Sequence, residues 1–469
     1  MSKLYQGGLL NFFNQDQLEQ VHQKTLDILR EVGVKVENKE ALNLFDEKGA
    51  DVDFNEKLVK LPNALVEDAI DLAPSTVVLY GREEEHNLEL GGKNVYLGTG
   101  GTAVNVLDLE TGEKRKTTTK DVADIAKVVQ KLDNIDFFVI PVFPDDAGKE
   151  KADEARFFSS LKNTTKHIMG GVYTAEGQKK VIDAAVGIAG SEQELKEKPF
   201  ISFIASIMSP LTMEKDYTDY FMYAVRRGVP VVGGTAPIAG ATSPISLPGT
   251  IAQTNAEALF MVVFSQLIEP GAKTLYGTVP TNMDMRTSNF RFGSIEMGMM
   301  NAACAELAQY YQIPIYNTAG VSDSKAIDIQ SGYEKMANIL MSGLTGTNYI
   351  HHAAGLIDSG MTAAYEQYVI DDQMIGMVKR VLRGLEFSEE RIAYDDIKEV
   401  GPGGNFLTAG STMKYMRTEF FDDQLYDDRD WDDWLKDGAP DARERAKDIV
   451  REILDQEDEN LVDQELLTN

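Results

Sequence analysis

Between residues 95 and 385, short and nearly continuous apolar runs alternate with longer stretches whose apolar positions recur every three or four residues. The short runs predict strands at 95–101, 135–144, 167–173, 200–210, 230–240, 273–280, 314–320 and 348–356. A strand covered on both faces loses the in/out alternation, which is the mark of a parallel sheet clothed in helices. The stretches between them predict helices at about 119–132, 150–162, 175–187, 215–227, 249–268, 294–311 and 327–344, with another at 362–385. Eight strands, each followed by a helix, is the count of a (β/α)8 TIM barrel in the α/β class.

The flanks read differently. Residues 1–90 form an N-terminal helical and extended cap: Leu18, Val21, Leu26, Ile28 and Leu29 give an apolar helix face that Gly33 ends, and a second helix follows near 39–48. The barrel takes 91–385. Residues 386–469 form a C-terminal extension, with the glycine-rich turn Gly401-Pro402-Gly403-Gly404, Trp431, Trp434 and an acidic helical tail.

Charge narrows the class of partner. Against 46 basic residues stand 75 acidic ones, a net of −29, which disfavours nucleic acid and an anionic membrane surface. The Asp pairs after Phe420 read as a solvated face or a docking face for a partner. One cysteine, Cys304, excludes an internal disulfide and a cysteine metal cluster. The N-terminus lacks a signal-like apolar core, and the longest greasy run, 259–268, is too short to span a bilayer. A cytoplasmic protein is expected, with a homo-oligomer as the default for a barrel of this size.

Candidate chemistry gathers at the C-terminal ends of the strands, where ligands bind in α/β barrels. Those ends are rich in small residues: Gly98, Gly100, Gly170, Gly171, Ser206, Gly233, Gly234, Gly277 and Gly320. They either serve tight turns or keep the mouth flat for a large planar ligand. The strand 314–320 leads into a polar loop with Asp323, Ser324 and Lys325. The five histidines, His22, His86, His167, His351 and His352, make no HxH or HExxH spacing, so no metal site is expected. His351 and His352 are neighbours on a strand, so alternation sends them to opposite faces and only one to the lumen. Lys325 allows a Schiff-base reading, as in a lyase or aldolase. Aromatic residues near the strands (Tyr96, Tyr173, Tyr276, Tyr316) and in the cap (Phe12, Phe13) are core, or together a box for a cation. No catalytic residue is assigned.

Three motifs carry a resemblance: Gln253-Thr254-Asn255-Ala256-Glu257; Asp323-Ser324-Lys325 followed by Asp328 to Glu334; and Gly401 to Gly404. In their order and spacing the chain resembles the trimethylamine methyltransferase superfamily, specifically members without pyrrolysine such as glycine betaine methyltransferases. The resemblance implies a barrel that passes a methyl group from a methylated amine to Co(I) of a corrinoid (cobalamin type) carried by a separate protein. The pyrrolysine position falls in 322–325, where this chain has ordinary residues. A quaternary amine is therefore implied as substrate: glycine betaine, proline betaine, carnitine or γ-butyrobetaine. On that reading Phe12, Phe13, Tyr96, Tyr276, His351 and His352 bind substrate, with Arg286 or Arg291 as further carboxylate donors. Gly98, Gly100, Gly170, Gly171, Ser206, Gly233, Gly234 and Asp323 face the corrinoid. A betaine-binding subunit without turnover is the non-enzymatic alternative.

Overall fold

The computed structural model describes residues 4–457, 459 and 461–467. Eight parallel strands form the barrel: β1 Tyr96–Thr99, β2 Phe138–Val139, β3 Ile168–Gly170, β4 Ile201–Ile207, β5 Val231–Thr235, β6 Thr274–Thr278, β7 Ile315–Thr318 and β8 Tyr349–Ala354. From β2 to β8 each pairs with its sequence neighbour, and β8 returns to β1, so the sheet order runs β1-β8-β7-β6-β5-β4-β3-β2. At the seam between β1 and β2 the Asp136 amide donates to the Leu97 carbonyl at 2.8 Å. The Asp136 carboxylate takes the Leu97 amide in return, also at 2.8 Å. The barrel is closed there by these two bonds rather than by a regular ladder.

Around it run α1 Thr119–Gln130, α2 Ala152–Asn163, α3 Ala175–Ala189, α4 Lys215–Arg226, α5 Leu247–Ile268, α6 Ile295–Tyr311, α7 Ile329–Thr345 and α8 Tyr365–Arg383. Helix starts are set by short polar residues: Thr118 and Asp328 cap α1 and α7, each with a reciprocal bond from the third helical residue. The greasy run 259–268 is the end of α5, a helix of 22 residues buried nearly all round between the barrel and the N-terminal helices. By length and composition α5 is able to cross a membrane, but 78% of its apolar window is buried within the protein. Its uniform apolarity reflects two protein neighbours rather than one.

The segment before the barrel closes one end. A hairpin, Thr76–Leu79 with Leu88–Gly91, inserts Val77, Leu79, Leu88 and Leu90 against Tyr96, Val139, Met169 and Tyr349. This is the N-terminal end of the strands. At the opposite end the loops build two small sheets beside the mouth, one from Asn105–Leu107, Lys114–Lys116, Leu356–Ile357 and Thr362–Ala364, the other from Ile238–Ala239, Thr281–Met283 and Phe290–Arg291. The acidic tail carries the helix Ala442–Leu454, which buries Ala446 and Val450 against α8 and α1 and pairs Arg443 with Glu366 at 3.0 Å. The segment between α8 and this helix leaves Leu385, Phe387, Leu407 and Phe420 largely exposed.

Candidate active site

Alternation along the strands sorts the lumen into two layers. The lower holds Tyr96, Val139, Met169, Val232, Leu275, Tyr316 and Tyr349, one packed cluster with the hairpin. One pleat further on, the inward positions shrink to Gly98, Gly171, Ser206, Gly234 and Gly277. Ser206 is exposed and Gly171 and Ile204 are half-buried, so solvent reaches the barrel axis from the C-terminal end. None of these inward positions carries a charged side chain.

One wall of this opening breaks the pattern. Between the pairs Ile350–Leu97 and Ala354–Thr99, β8 has three residues where β1 has one. The bulge puts His352 at φ +65°, in the left-handed region, and turns both imidazoles to the same side, with ring centroids 3.9 Å apart. The expectation that His351 and His352 lie on opposite faces is therefore corrected: the extra residues cancel the alternation. Gly100 makes the bulge fit, since a Cβ there would lie 2.5 Å from the His352 amide nitrogen and 3.0 Å from Cδ2 of His351.

The two rings continue a ladder of aromatic contacts that climbs the lumen. Phe137 stacks on Tyr349 at 3.5 Å, Tyr349 on Tyr316 at 5.6 Å and Tyr316 on His351 at 4.0 Å. After His352, Phe292 meets that ring edge-on at 5.2 Å. Burial keeps the ladder uncharged. It holds the His351 imidazole down at about 3 and pushes the Tyr316 phenol above its usual range. His352 is held well below an ordinary histidine by burial first, then by His351 and Lys335. Of the ladder, Tyr316, His351 and His352 were legible as candidates. Phe137, Tyr349 and Phe292 were not, because an isolated aromatic residue in a strand or loop reads as core.

Several expected site residues lie elsewhere. Tyr96 points inward but at the closed end, where its hydroxyl accepts the Glu89 amide of the hairpin at 3.1 Å. Tyr276 faces outward, donating to Asn255 of α5 at 2.6 Å. Phe12 and Phe13 give their backbone amides to the Glu306 carboxylate at 2.5 and 3.1 Å, among the helices outside the barrel. Gly170 and Gly233 face Phe157 and Met261 in the outer layer, where a side chain would collide with the helices, and Gly98 lies beneath the Phe137 ring. Arg286 and Arg291 are both drawn to Asp284 on a surface loop, with Arg286 86% exposed.

The polar loop after β7 is tied down residue by residue. The Asp323 carboxylate accepts the Phe292 and Gly293 amides at 2.9 and 3.0 Å and the Ser359 hydroxyl at 2.7 Å, so it joins three loops instead of facing a ligand. Ser322 donates to Glu334 at 2.6 Å and Ser324 to Asp328 at 3.0 Å. Lys325 is exposed and donates to the Asp323 carbonyl at 2.7 Å. A Schiff-base lysine needs a desolvated pocket, and Lys325 has none. Behind the loop, fully buried Lys335 bonds the Gly320 carbonyl at 2.5 Å and Asp371 at 2.9 Å, and Asp371 takes the Gly355 amide at 2.7 Å. One ion pair thus fixes the turns after β7 and β8. Nothing in the local pattern of α7 distinguishes Lys335 from a surface lysine.

The motif at 253–257 is likewise a tie. Glu257 accepts from Ser209 at 2.6 Å, from the Leu211 amide at 2.9 Å and from Thr235, while Asn255 bridges Tyr276, Tyr311 and Thr25. Among the described residues, Glu83, Glu85 and His86 bring potential metal-ligating atoms within 4.8 Å of one another. They lie at the closed end, and His86 Nδ1 is already 2.9 Å from the Thr165 hydroxyl.

Comparison with known proteins agrees with this architecture. The trimethylamine methyltransferase (MTTB) family profile matches residues 5–469. The chain is 39% identical over 443 residues to the trimethylamine methyltransferase MttB of Desulfitobacterium hafniense, covering 94% of this chain and 89% of the relative. To that of Methanosarcina barkeri it is 35% identical over 471 residues, covering 98% and 94%. A glycine betaine methyltransferase of D. hafniense is 32% identical over 445 residues, covering 95% and 92%. Among solved structures, a hydroxylamine complex of MtmB superposes with a TM-score of 0.50 at 14% identity over 96% of this chain and 95% of that one, a likeness of fold alone. A barrel of this build, matched by the family along nearly its whole length, is a methylated-amine methyltransferase: the chain belongs to the trimethylamine methyltransferase family.

Proposed function

We propose that the protein takes a methyl group from a betaine, a quaternary amine bearing a carboxylate, and passes it to Co(I) of a corrinoid presented by a separate protein. The observation that carries this reading is the aromatic ladder in an otherwise uncharged lumen. A quaternary ammonium leaves as a neutral tertiary amine, so demethylation needs no proton and no general acid. Its positive charge disperses as the methyl group departs, and a carboxylate against the nitrogen would favour the ground state over the transition state. Neutral ring faces hold the cation at about 0.5–2 kcal/mol each without that penalty.

The tied loop at 322–325 supports the same choice. A tertiary amine keeps a lone pair and needs a group to hold it, and each residue of this loop is engaged by the protein itself. The glycine betaine methyltransferase among the relatives points the same way by its name; the trimethylamine methyltransferases point to the rival substrate.

The mouth suits a planar macrocycle. Gly171, Ser206, Gly234 and Gly277 leave the inner wall without bulk, and a Cβ at Gly234 would crowd Ile204 and Ser206 at 3.2 Å. These residues would face a corrinoid, which supplies the methyl-accepting cobalt when present. The chain's own part is to seat the ammonium on the ladder, aim one methyl outwards and keep water away from the closed end.

The test is anaerobic: purified protein, chemically reduced cobalamin, and each candidate amine in turn. Loss of the Co(I) absorbance with glycine betaine, and none with trimethylamine, is expected. Turnover of trimethylamine alone would overturn the betaine reading.

A further inference from the structure

The two imidazoles at the mouth have different partners on their inner edges. Nδ1 of His351 lies 2.6 Å from the Asn317 carbonyl, an atom that only accepts. That nitrogen therefore carries the proton, and Nε2 of His351 is a lone pair. Nδ1 of His352 lies 2.8 Å from the Thr318 hydroxyl, which is fully buried and makes no other hydrogen bond among the described residues. Were His352 to donate here, the hydroxyl proton would be left buried without an acceptor, the costlier arrangement. The hydroxyl donates instead, and the His352 proton sits on Nε2. Burial keeps both rings neutral, so neither gains a second proton near neutral pH.

Neither Nε2 has a protein partner among the described residues. Glycine at 101 leaves that of His352 uncovered, since a Cβ there would stand 3.2 Å from it. We infer that the pair is held in opposite tautomers, an N–H donor on His352 beside a lone pair on His351, and that Thr318 is the positioning residue that makes it so. This rests on the betaine reading and deepens it. The donor takes a carboxylate oxygen, while the neighbouring lone pair of His351 faces the methyl groups of the ammonium. Ring centroids 3.9 Å apart suit a carboxylate one carbon from the nitrogen better than one three carbons away. Short betaines are the class selected; a methylammonium without a carboxylate meets only half the site.

The experiment uses the full chain, labelled with nitrogen-15 in its imidazoles, and reads each tautomer from the ring nitrogen shifts. Wild type should show His351 protonated at Nδ1 and His352 at Nε2. In Thr318→Val the His352 preference should be lost, and in Thr318→Ser kept. Calorimetric titration should show the dissociation constant for glycine betaine rising about tenfold or more in Thr318→Val, the worth of one hydrogen bond to a charged group. That for tetramethylammonium should stay unchanged, and Thr318→Ser should behave as wild type. His352 protonated at Nδ1 in wild type, or equal weakening of both ligands, would overturn the inference. Failure of wild type to bind either ligand would sink the betaine reading, while the nitrogen shifts decide the tautomers independently.

Discussion

At the closed end of the barrel the inward positions hold Tyr96, Met169, Val232, Leu275 and Tyr349. Two residues further along the same strands they hold Gly98, Gly171, Gly234, Gly277 and His351. The backbone is the same and the spacing is one pleat, yet one layer fills the barrel and the next empties it. The hairpin completes the first by adding four aliphatic side chains from outside the barrel. The second is left to the aromatic ladder on one wall and to glycine on the others. With the proposed site at the open end, stability and binding are separated along the barrel axis, the division expected when ligands bind at the C-terminal ends of strands.

The sharpest challenge to that separation is Lys335, because it stabilises the open end. Lys335→Ala leaves Asp371 buried without its partner and should cost about 3–5 kcal/mol in urea unfolding. The double variant Lys335→Met, Asp371→Leu should recover part of that loss. Close behind comes Tyr96→Ala at the closed end, expected to cost about 3 kcal/mol while methyl transfer per folded molecule stays at the wild-type rate. A large loss of turnover with little loss of stability would return Tyr96 to the substrate site. Gly100→Ala should show the converse. Its Cβ meets backbone at the His352 bulge, so stability should fall by about 1–3 kcal/mol, but betaine binding should fall out of proportion as the two rings are displaced.

Acid should weaken both ends. Burial depresses His167 at the closed end to about 4 and His351 at the open end to about 3, from 6.5. Below pH 6.5 the unfolded chain takes up protons that the native rings refuse. The stability these histidines allow is therefore complete above pH 6.5, is lost as pH falls, and stops falling near pH 3. Unfolding midpoints against pH should show this slope, reduced in His167→Gln and in His351→Gln. Smallest of all, Lys325→Ala should change stability by less than about 0.5 kcal/mol and leave methyl transfer intact; abolished turnover would revive the lysine chemistry.

The predicted strand runs located all eight barrel strands, because a strand covered on both faces has to be apolar throughout. The same uniformity hid which face each residue takes. Tyr276 and Tyr316 look alike in sequence; one bonds α5 outside the barrel and the other stacks on His351 within it. The cap was legible as helices and extended pieces, but its position was not, and Phe12 and Phe13, expected in the cation box, are held instead by Glu306 outside the barrel. The motifs at 253–257 and 322–334 were informative for family, but Asp323 and Lys325 in the second were misleading for chemistry, since the polar groups of both motifs bond across loops far apart in sequence.

By itself, then, the order of apolar and polar residues determined the barrel, its eight-fold repeat and the small residues at the strand ends. These follow from local rules of burial and turn geometry. Tertiary structure alone decided that one bulge turns His351 and His352 to the same side, that Asn317 and Thr318 stand behind them, and that one pleat separates the packed layer from the open one. Register and bulge are set by hydrogen bonds between strands, and no single strand carries that information.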